Sequence, residues 1–305
     1  MEFRTLAEGL QFPEGPVALA DGSVLLVEIA AGTLTRIAPD GTKSVVTTTG
    51  GGPNGAAIGP DGKCYVANNG GFEWHREEGR IRPLTQAKDY SGGRLERVDL
   101  KTGAVEPVYR ACGDMPLKGP NDLVIDAAGG VYFTDLGKRR PREMDIGAVY
   151  YGKPDGSSIV EVAYPMVTPN GIGLSPDEKT LYVAETEAAR LWAFPIDAPG
   201  LVKKEPWPSP HGGRLVAGMG GYQRFDSLAV QADGRICVAT LINGGITVIS
   251  PDGRHVEHHA MPDPMTTNIC FGGPDMKTAF ITLSWTGRLV AVDWRSPGLK
   301  LNQAG

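Results

Sequence analysis

A segment that recurs six times along the chain limits its fold more than any other feature of the sequence. Each copy opens with a polar side chain, runs through apolar residues to a turn, and continues into a second apolar run. Two such runs joined by a tight turn predict a β-hairpin, and regular copies of it predict a repeat architecture. We call the polar side chains that open the copies the marker residues: Glu14, Asn54, Asn121, Asn170, Asp226 and Asn268.

A third strand-like run follows each hairpin. Sequences such as GTLTRIAPDG, GAVYYGKPDG and GGITVISPDG alternate apolar and polar residues, as a strand with one buried face does. The spacing leaves room for a fourth strand, and four-stranded units repeated around an axis form a β-propeller. We therefore expect an all-β, six-bladed propeller that forms a single domain over residues 1–305. A two-domain sandwich fits the even register of the copies less well.

The two ends of the sequence predict how the ring closes. The last copy ends after GRLVAVDW with only three strands, and the run EFRTLAEG precedes the first marker residue. An N-terminal strand that completes the sixth blade would remove two free sheet edges.

The marker residues are polar although each begins an apolar strand. In a propeller the innermost strand of each blade lines the central channel, so we expect the six side chains to converge at one end of it. Each could instead cap a turn or bind water. The carboxylates among them, Glu14 and Asp226, would repel each other unless a cation or a proton intervened. Carboxylate and amide oxygens suit Ca²⁺, Mg²⁺ or Mn²⁺, and the lack of a His or Cys marker disfavours a typical zinc site.

Composition excludes several other functions. The net charge of −5 provides no basic stripe for nucleic acid, and we expect the single basic run, KRRPR (138–142), to be a solvated loop. No apolar run approaches the ~20 residues of a membrane helix, and the N-terminus lacks the layout of a signal peptide. Because the four cysteines are scattered, we expect free thiols and a cytoplasmic location, without nucleic-acid or membrane partners.

Four motifs resemble the SMP-30/gluconolactonase/luciferin-regenerating family of six-bladed propellers. They are FPEGP around Glu14, GPND around Asn121, TPNGIGLSPDEKTLYVAET around Asn170 and FDSLAV around Asp226. The resemblance implies one divalent cation held by Glu14, Asn170 and Asp226, with Asn121 contacting the substrate. Ca²⁺ is the favoured ion, with Mg²⁺, Mn²⁺, Fe²⁺ and Zn²⁺ as alternatives. The family often has Arg two residues before that Asn; here Gly119 stands there, with Lys118 beside it as a candidate substrate-binding residue.

The resemblance also implies an activity, the hydrolysis of lactones of sugar acids or related cyclic esters. A cation at this site could polarise the lactone carbonyl and activate a water molecule. Asp226 is the expected base because it would be both a ligand and a neighbour of that water, so Asp226 and Asn121 are the predicted catalytic residues. The alternative is a non-catalytic, metal-stabilised propeller that binds a ligand or a protein. Serine-hydrolase chemistry finds little support, because GLSPD around Ser175 lacks the second Gly of a nucleophile elbow.

A long insertion after the second hairpin predicts where specificity arises. It spans 68–93, and loops of this length within a compact fold are usually functional. Trp74 and His75 at its centre, with Tyr222 and Arg224 just before Asp226, are candidate pocket residues. A packed loop anchored by Trp74 is the alternative.

Overall fold

Strands account for all the regular structure that the computed structural model describes, which covers residues 2–303. The first ten strands are β1 (Arg4–Ala7), β2 (Pro13–Ala18), β3 (Val24–Glu28), β4 (Thr33–Ile37), β5 (Lys43–Thr48), β6 (Pro53–Ile58), β7 (Cys64–Asn68), β8 (Phe72–Glu77), β9 (Arg80–Gln86) and β10 (Arg94–Val98). The next ten are β11 (Val105–Tyr109), β12 (Ala111–Cys112), β13 (Met115–Pro116), β14 (Pro120–Ile125), β15 (Val131–Asp135), β16 (Gly147–Gly152), β17 (Ile159–Met166), β18 (Pro169–Leu174), β19 (Thr180–Glu185) and β20 (Arg190–Ala198). The last nine are β21 (Leu201–Val202), β22 (Arg214–Gly218), β23 (Arg224–Val230), β24 (Ile236–Leu241), β25 (Gly245–Ile249), β26 (Val256–Ala260), β27 (Thr266–Gly272), β28 (Thr278–Leu283) and β29 (Arg288–Asp293).

Six antiparallel sheets form the six blades of a propeller, as the repeat predicts. From inner to outer strand, blade 1 is β2-β3-β4-β5, blade 2 is β6-β7-β10-β11 and blade 3 is β14-β15-β16-β17. Blade 4 is β18-β19-β20-β22, with β21 also paired to β20; blade 5 is β23-β24-β25-β26; and blade 6 is β27-β28-β29-β1. The N-terminal strand therefore closes the ring: Arg4 pairs with Ala291 and Thr5 with Val290. Within residues 2–303 no helix is long and apolar enough to cross a membrane.

The hydrophobic core lies between neighbouring blades. One cluster joins Tyr132 and Val149 of blade 3 to Ile172 and Phe194 of blade 4, and each of these side chains is buried. Because side chains alternate along a strand, each sheet sends one set of apolar residues to each neighbour. The blades thus pack face to face around the axis and do not share one central core.

Close approach of the inner strands explains a glycine that follows several marker residues. A Cβ on Gly55 would lie 2.7 Å from Asp122 Cα, and one on Gly171 would lie 2.6 Å from the carbonyl oxygen of Asp226. Real Cβ atoms do not approach other atoms this closely, so a larger residue would push neighbouring inner strands apart. The narrow channel that results brings the beginnings of these strands together.

Two sets of loops surround the end of the channel at which the inner strands begin. They are the connections between blades and the loops that join the second and third strands of each blade. The 68–93 insertion joins β7 to β10, so it belongs to this end, where β8 and β9 form a separate two-stranded sheet.

Candidate active site

All six marker residues lie at the start of an inner strand, and each is buried. At each of them the ladder between the first and second strands of the blade is irregular: the register shifts between Glu14 and Val17 in blade 1, and at the equivalent place in the other five blades. A bulge of this kind turns a side chain away from its regular position in the sheet. The irregularity explains how a polar residue can begin an otherwise apolar strand.

Glu14 is a buried carboxyl group held by two neighbours. Its Oε2 accepts hydrogen bonds from the Gly15 amide and from Nδ2 of Asn268, each over 2.8 Å. Burial raises the pKa of Glu14 to about 7, because the charged form loses its hydration.

Asn170 of blade 4 contacts Asp226 of the neighbouring blade 5. Asn170 Nδ2 donates to Asp226 Oδ1 over 2.5 Å and to Thr186 Oγ1 over 3.0 Å. Burial, followed by the charge of Glu14, raises the pKa of Asp226 well above its ordinary value. An Asp whose pKa is raised is a stronger proton acceptor than an exposed one once it is ionised.

Asp122 is a third buried carboxyl group, and it interacts electrostatically with Glu14 and Asp226. We call these three carboxyl groups, with Asn121 and Asn170, the centre. Burial and then the charge of Glu14 raise the pKa of Asp122 to about 8, and its own charge raises the pKa of Asp226. The repeat predicts no role for Asp122, because it identifies only positions that are polar in all six copies. The signal was nevertheless present. At the position after the marker, the other copies have the uncharged residues Gly15, Gly55, Gly171, Ser227 and Ile269.

Asn121 contributes a buried oxygen atom without a partner. It lies second in β14, and its Oδ1 accepts no hydrogen bond from the described residues. A buried polar atom is normally paired, so an unpaired one calls for a ligand, an ion or a water molecule. The unpaired oxygen is available for such a partner, and the catalytic and substrate-binding roles of Asn121 remain predictions.

The centre offers oxygen ligands without a balancing cation. Within residues 2–303, Glu14, Asp122 and Asp226 form no ion pair with Lys, Arg or His. Over the same residues His, Cys, Asp and Glu alone form no group of three able to hold a metal ion, so amide oxygens would have to complete the set. Asn121 Oδ1 is unpaired, and Asn170 Oδ1 has only one long contact, 3.5 Å from Ser227 Oγ. This donor set fits a hard divalent cation.

Below the carboxyl groups the channel is apolar. The cavity there has a volume of about 100 Å³, and its walls include Val17, Ile172 and Leu228 of the inner strands. Leu299 and Leu301, from the segment that follows blade 6, line it as well. An apolar floor supplies little hydration to the carboxyl groups above it, which agrees with burial as the main cause of their raised pKa values.

The candidate pocket residues of the insertion lie on the β8–β9 hairpin. The Trp74 ring packs 5.2 Å from that of Phe12, two residues before Glu14, and 6.0 Å from that of Phe72. Trp74 thus anchors the hairpin beside the first inner strand. His75 is exposed, with Nε2 3.5 Å from Glu77 Oε2. Substrate binding by Trp74 and His75 remains a prediction.

Lys118 and Gly119 are fixed through their main chain. The Asp135 carboxylate accepts both of their amide hydrogens, each over 2.7 Å, while the Lys118 side chain is exposed. A Cβ on Gly119 would lie 2.3 Å from the carbonyl oxygen of Gly137, so this backbone accommodates no side chain there. Binding of substrate by Lys118 remains a prediction.

Tyr222 and Arg224 lie just before and at the start of β23. The Tyr222 side chain is largely exposed, and the Arg224 guanidinium carbon lies 5.9 Å from its ring centroid. Arg224 Nη2 forms a 2.9 Å ion pair with Glu187, a residue that the sequence analysis did not single out.

The expectation of a solvated loop at residues 138–142 is wrong for Lys138. Its side chain is 1% exposed, and Nζ donates to the main-chain oxygens of Asn69 and Gly71 and to Asn69 Oδ1, over 2.8–3.2 Å. Nζ also lies 4.0 Å from the Phe72 ring centroid. Lys138 therefore clamps the 68–93 insertion to blade 3. A charged residue in a basic run gives no sign of this, because its partners are main-chain atoms far away in the sequence.

The fold and the site together define a class of protein, a six-bladed propeller with buried carboxyl and amide groups on its axis. The sequence model of the SMP-30/gluconolactonase/LRE-like region matches residues 12–284, and the chain belongs to this family.

Several curated proteins and solved structures are similar to the chain. A gluconolactonase of Zymomonas mobilis is 27% identical over 92% of this chain and 78% of its own length. The lactonase drp35 of Staphylococcus haemolyticus is 30% identical over 84% of this chain and 71% of its own length. The crystal structure of regucalcin, a calcium-binding protein from Agrobacterium tumefaciens, aligns with a TM-score of 0.76 at 22% identity, covering 98% of each chain. A gluconolactonase from Xanthomonas campestris aligns with a TM-score of 0.74 at 22% identity, over 97% of this chain and 89% of its own.

Proposed function

We propose that the protein is a divalent-metal-dependent lactonase that opens a cyclic ester to a hydroxy acid. The observation that carries the proposal is the cluster of buried, uncompensated carboxyl groups Glu14, Asp122 and Asp226 beside the unpaired Asn121 oxygen. Curated relatives with the names gluconolactonase and lactonase support the choice of substrate class. Sugar-acid lactones are the first candidates.

Glu14, Asn170 and Asp226 are the residues that would hold the cation. Each belongs to a different blade, so the ligand set depends on the closed ring and not on one local segment. Ca²⁺ is the ion that we favour, because carboxylate and amide oxygens are its usual ligands. Regucalcin, which shares the fold, is described as a calcium-binding protein. A divalent cation bound here would supply a Lewis acid for the carbonyl oxygen of the lactone.

The chain's own residues would perform the proton transfers and the positioning. Asp226 would accept the proton of the attacking water, while the hydrogen bond from Asn170 holds its carboxylate in place. Asn121 would orient the water or the lactone through its free oxygen and its amide hydrogens. The new bond forms between the water oxygen and the acyl carbon, the ring C–O bond breaks, and the ring oxygen leaves as a hydroxyl group with the proton. No covalent enzyme intermediate is required.

The second candidate is a non-catalytic propeller in which the same cation only stabilises the channel. The buried carboxyl groups support both candidates, because a structural ion would also balance their charge. The curated relatives named gluconolactonase and lactonase favour the enzyme, because the unpaired Asn121 oxygen could contact a structural ion as well as a substrate.

A lactone panel tests the proposal. Sugar-acid, aliphatic and aromatic lactones are incubated with the purified protein, and ring opening is followed by acid release, before and after chelation and after return of the metal. We expect turnover of at least one lactone class, its loss on chelation and its recovery with Ca²⁺ or another divalent ion. Stoichiometric metal without turnover of any lactone would support the binding propeller instead.

A further inference from the structure

Two arginines from different blades meet at one carboxylate on the rim of the channel mouth. Arg224 Nη2 lies 2.9 Å from Glu187 Oε2, and Arg139 Nη1 lies 3.6 Å from Glu187 Oε1. The two guanidinium groups use different oxygens of Glu187, so the acid bridges blades 3, 4 and 5. We call these three residues the rim triad.

The rim triad lies next to the predicted catalytic centre. Glu187 follows Thr186, whose hydroxyl group accepts the hydrogen bond from Asn170, and Arg224 comes two residues before Asp226. The main-chain oxygen of Arg139 accepts a 2.8 Å hydrogen bond from the amide of Gln86 at the end of β9, so the insertion supports its loop. All three residues belong to elements at the end of the channel where the inner strands begin.

The charges of the rim triad do not balance. Two guanidinium groups share one carboxylate, which leaves one positive charge in excess. The side chain of Arg139 is 60% exposed and that of Arg224 is 27% exposed, so both can still reach a ligand. A guanidinium group has five N–H donors, and Glu187 occupies only part of each set. The remaining donors match the paired oxygens of a carboxylate or a phosphate.

The geometry points to a binding site for an anionic substituent of the substrate, formed by Arg139 and Arg224 with Glu187 as the bridge that orients them. The inference rests on the proposed lactonase function and narrows its substrate class: the preferred lactone carries an oxyanion remote from the ring ester, as an aldaric acid lactone or a phosphorylated lactone does. A neutral aldonolactone has nothing for these donors except hydroxyl groups.

Three related lactones test the inference. They are gluconolactone, which is neutral, glucarolactone, which carries a carboxylate, and gluconolactone phosphorylated on its terminal hydroxyl group. Each is assayed for kcat/KM with the metal-loaded wild type, Arg139→Gln, Arg224→Gln and Arg80→Gln. Arg80 is the matched control, because it is another arginine at this end but stacks on Trp285, 4.7 Å from the ring centroid, away from Glu187.

The measured quantity is the preference for an anionic lactone, the ratio of its kcat/KM to that of the neutral gluconolactone. A variant that loses activity in general lowers both values and leaves this ratio unchanged. We expect the wild type to prefer an anionic lactone, and either rim variant to lower that preference about tenfold, the effect of one charge-assisted hydrogen bond. Arg80→Gln should keep the wild-type preference. Added salt should weaken the preference, because the site is partly exposed. Whether glucarolactone or the phosphorylated lactone benefits more identifies the source of the oxyanion.

A wild type that opens lactones without regard to charge, or rim variants that keep the wild-type preference, would overturn the inference while the lactonase function stood. If the wild type opened no lactone, the proposed function would fail, and product binding would then decide the inference. Calorimetry of gluconate and glucarate, which differ by one carboxylate, should show tighter binding of glucarate to the wild type. Arg224→Gln should remove that difference, and equal binding of both acids by the wild type would reject the anion site.

Discussion

Asn170 donates a 2.5 Å hydrogen bond through Nδ2 to Oδ1 of Asp226, and the bond joins the inner strands of blades 4 and 5. Because the amide nitrogen faces a carboxylate, the amide oxygen must point the other way. Asn170 therefore has its oxygen free for a cation while its nitrogen fixes the proposed base. One side chain could thus serve both parts of the site.

The first prediction concerns the cation. Glu14→Gln and Asp226→Asn should each lower bound divalent metal well below one equivalent, because each removes one of only two carboxylates in the ligand set. Elemental analysis after desalting measures this. Glu28→Gln is the control: Glu28 is equally buried but pairs with Lys43 over 2.8 Å, so its loss should leave the metal content unchanged. Full metal occupancy in both ligand variants would show that the cation lies elsewhere.

The second prediction concerns stability and pH in the metal-free protein. The pKa of Glu14 is raised from 4.5 to about 7, so the stability that its protonated form contributes is present below pH 4.5 and is lost as the pH rises through about 7. Glu14→Gln should therefore match the metal-free wild type near pH 4 and exceed it by about 3 kcal/mol near pH 8, since one pKa unit corresponds to about 1.4 kcal/mol.

Denaturant unfolding at both pH values, with chelator present, measures this difference. Comparison with the variant removes the contributions of shifted groups that do not depend on Glu14, such as Lys138, whose pKa burial lowers to about 7. Asp122 and Asp226 do not cancel, because the charge of Glu14 raises the pKa of both, and its removal adds to the gain of the variant near pH 8. Saturating metal should reverse the order, because only the wild type gains binding free energy. A difference that does not depend on pH would mean that Glu14 has the same pKa in the folded and the unfolded protein, so that burial does not raise it.

The repeat allowed the fold to be predicted because its pattern is local. Each marker residue, such as Asn54, stands a fixed distance before a turn, and each third strand alternates in polarity. Even the closing strand follows from counting the strands. The relation between Arg139, Glu187 and Arg224 could not be predicted in this way. Arg139 and Glu187 lie in loops and Arg224 begins β23, each in a different blade, and only the curvature of the ring brings them together.

Asp122 and Lys138 are two other residues whose surroundings could not be predicted from the sequence. Asp122 was visible as an acid beside Asn121, but its importance comes from burial next to Glu14, which no local pattern reveals. Lys138 belongs to a run of basic residues, which is usually solvated. Its burial depends on the main-chain oxygens of Asn69 and Gly71 in another blade. Both residues depend on tertiary contacts.

The third prediction concerns the clamp formed by Lys138. Lys138→Met keeps the volume but leaves the main-chain oxygen of Asn69 without a donor among the described residues, at a cost on the order of 1–3 kcal/mol. Asn69 Oδ1 and the Gly71 oxygen lose one donor each and keep the amides of Gly71 and Ala87. The 68–93 insertion should loosen first, so limited proteolysis should cleave within it before the blades unfold. Arg142→Met is the control, because Arg142 is an exposed residue of the same basic run. Equal protease resistance of the two variants would show that the insertion does not depend on the clamp.

The fourth prediction separates the two functions assigned to the channel residues. Asn121→Ala should lower lactone turnover while the metal content stays near that of the wild type, because we propose that Asn121 orients the water or substrate and is at most a weak ligand. Asp226→Ala should lower both, since the proposed ligand and the proposed base are the same side chain. The loss for one acid–base group is about 10²–10⁴-fold, and loss of the cation adds to it. Turnover and metal content are measured on the same preparations.

Chelation separates the two variants further. Chelated wild type should behave as Asp226→Ala does, and returned metal should restore the wild type alone, because the variant lacks a ligand as well as the base. Asn121→Ala should lose its residual turnover on chelation and regain it with metal, since its ligand set is intact. Normal turnover in Asn121→Ala would mean that the unpaired oxygen of β14 binds only water, and full activity of the chelated wild type would reject a mechanism that depends on a cation.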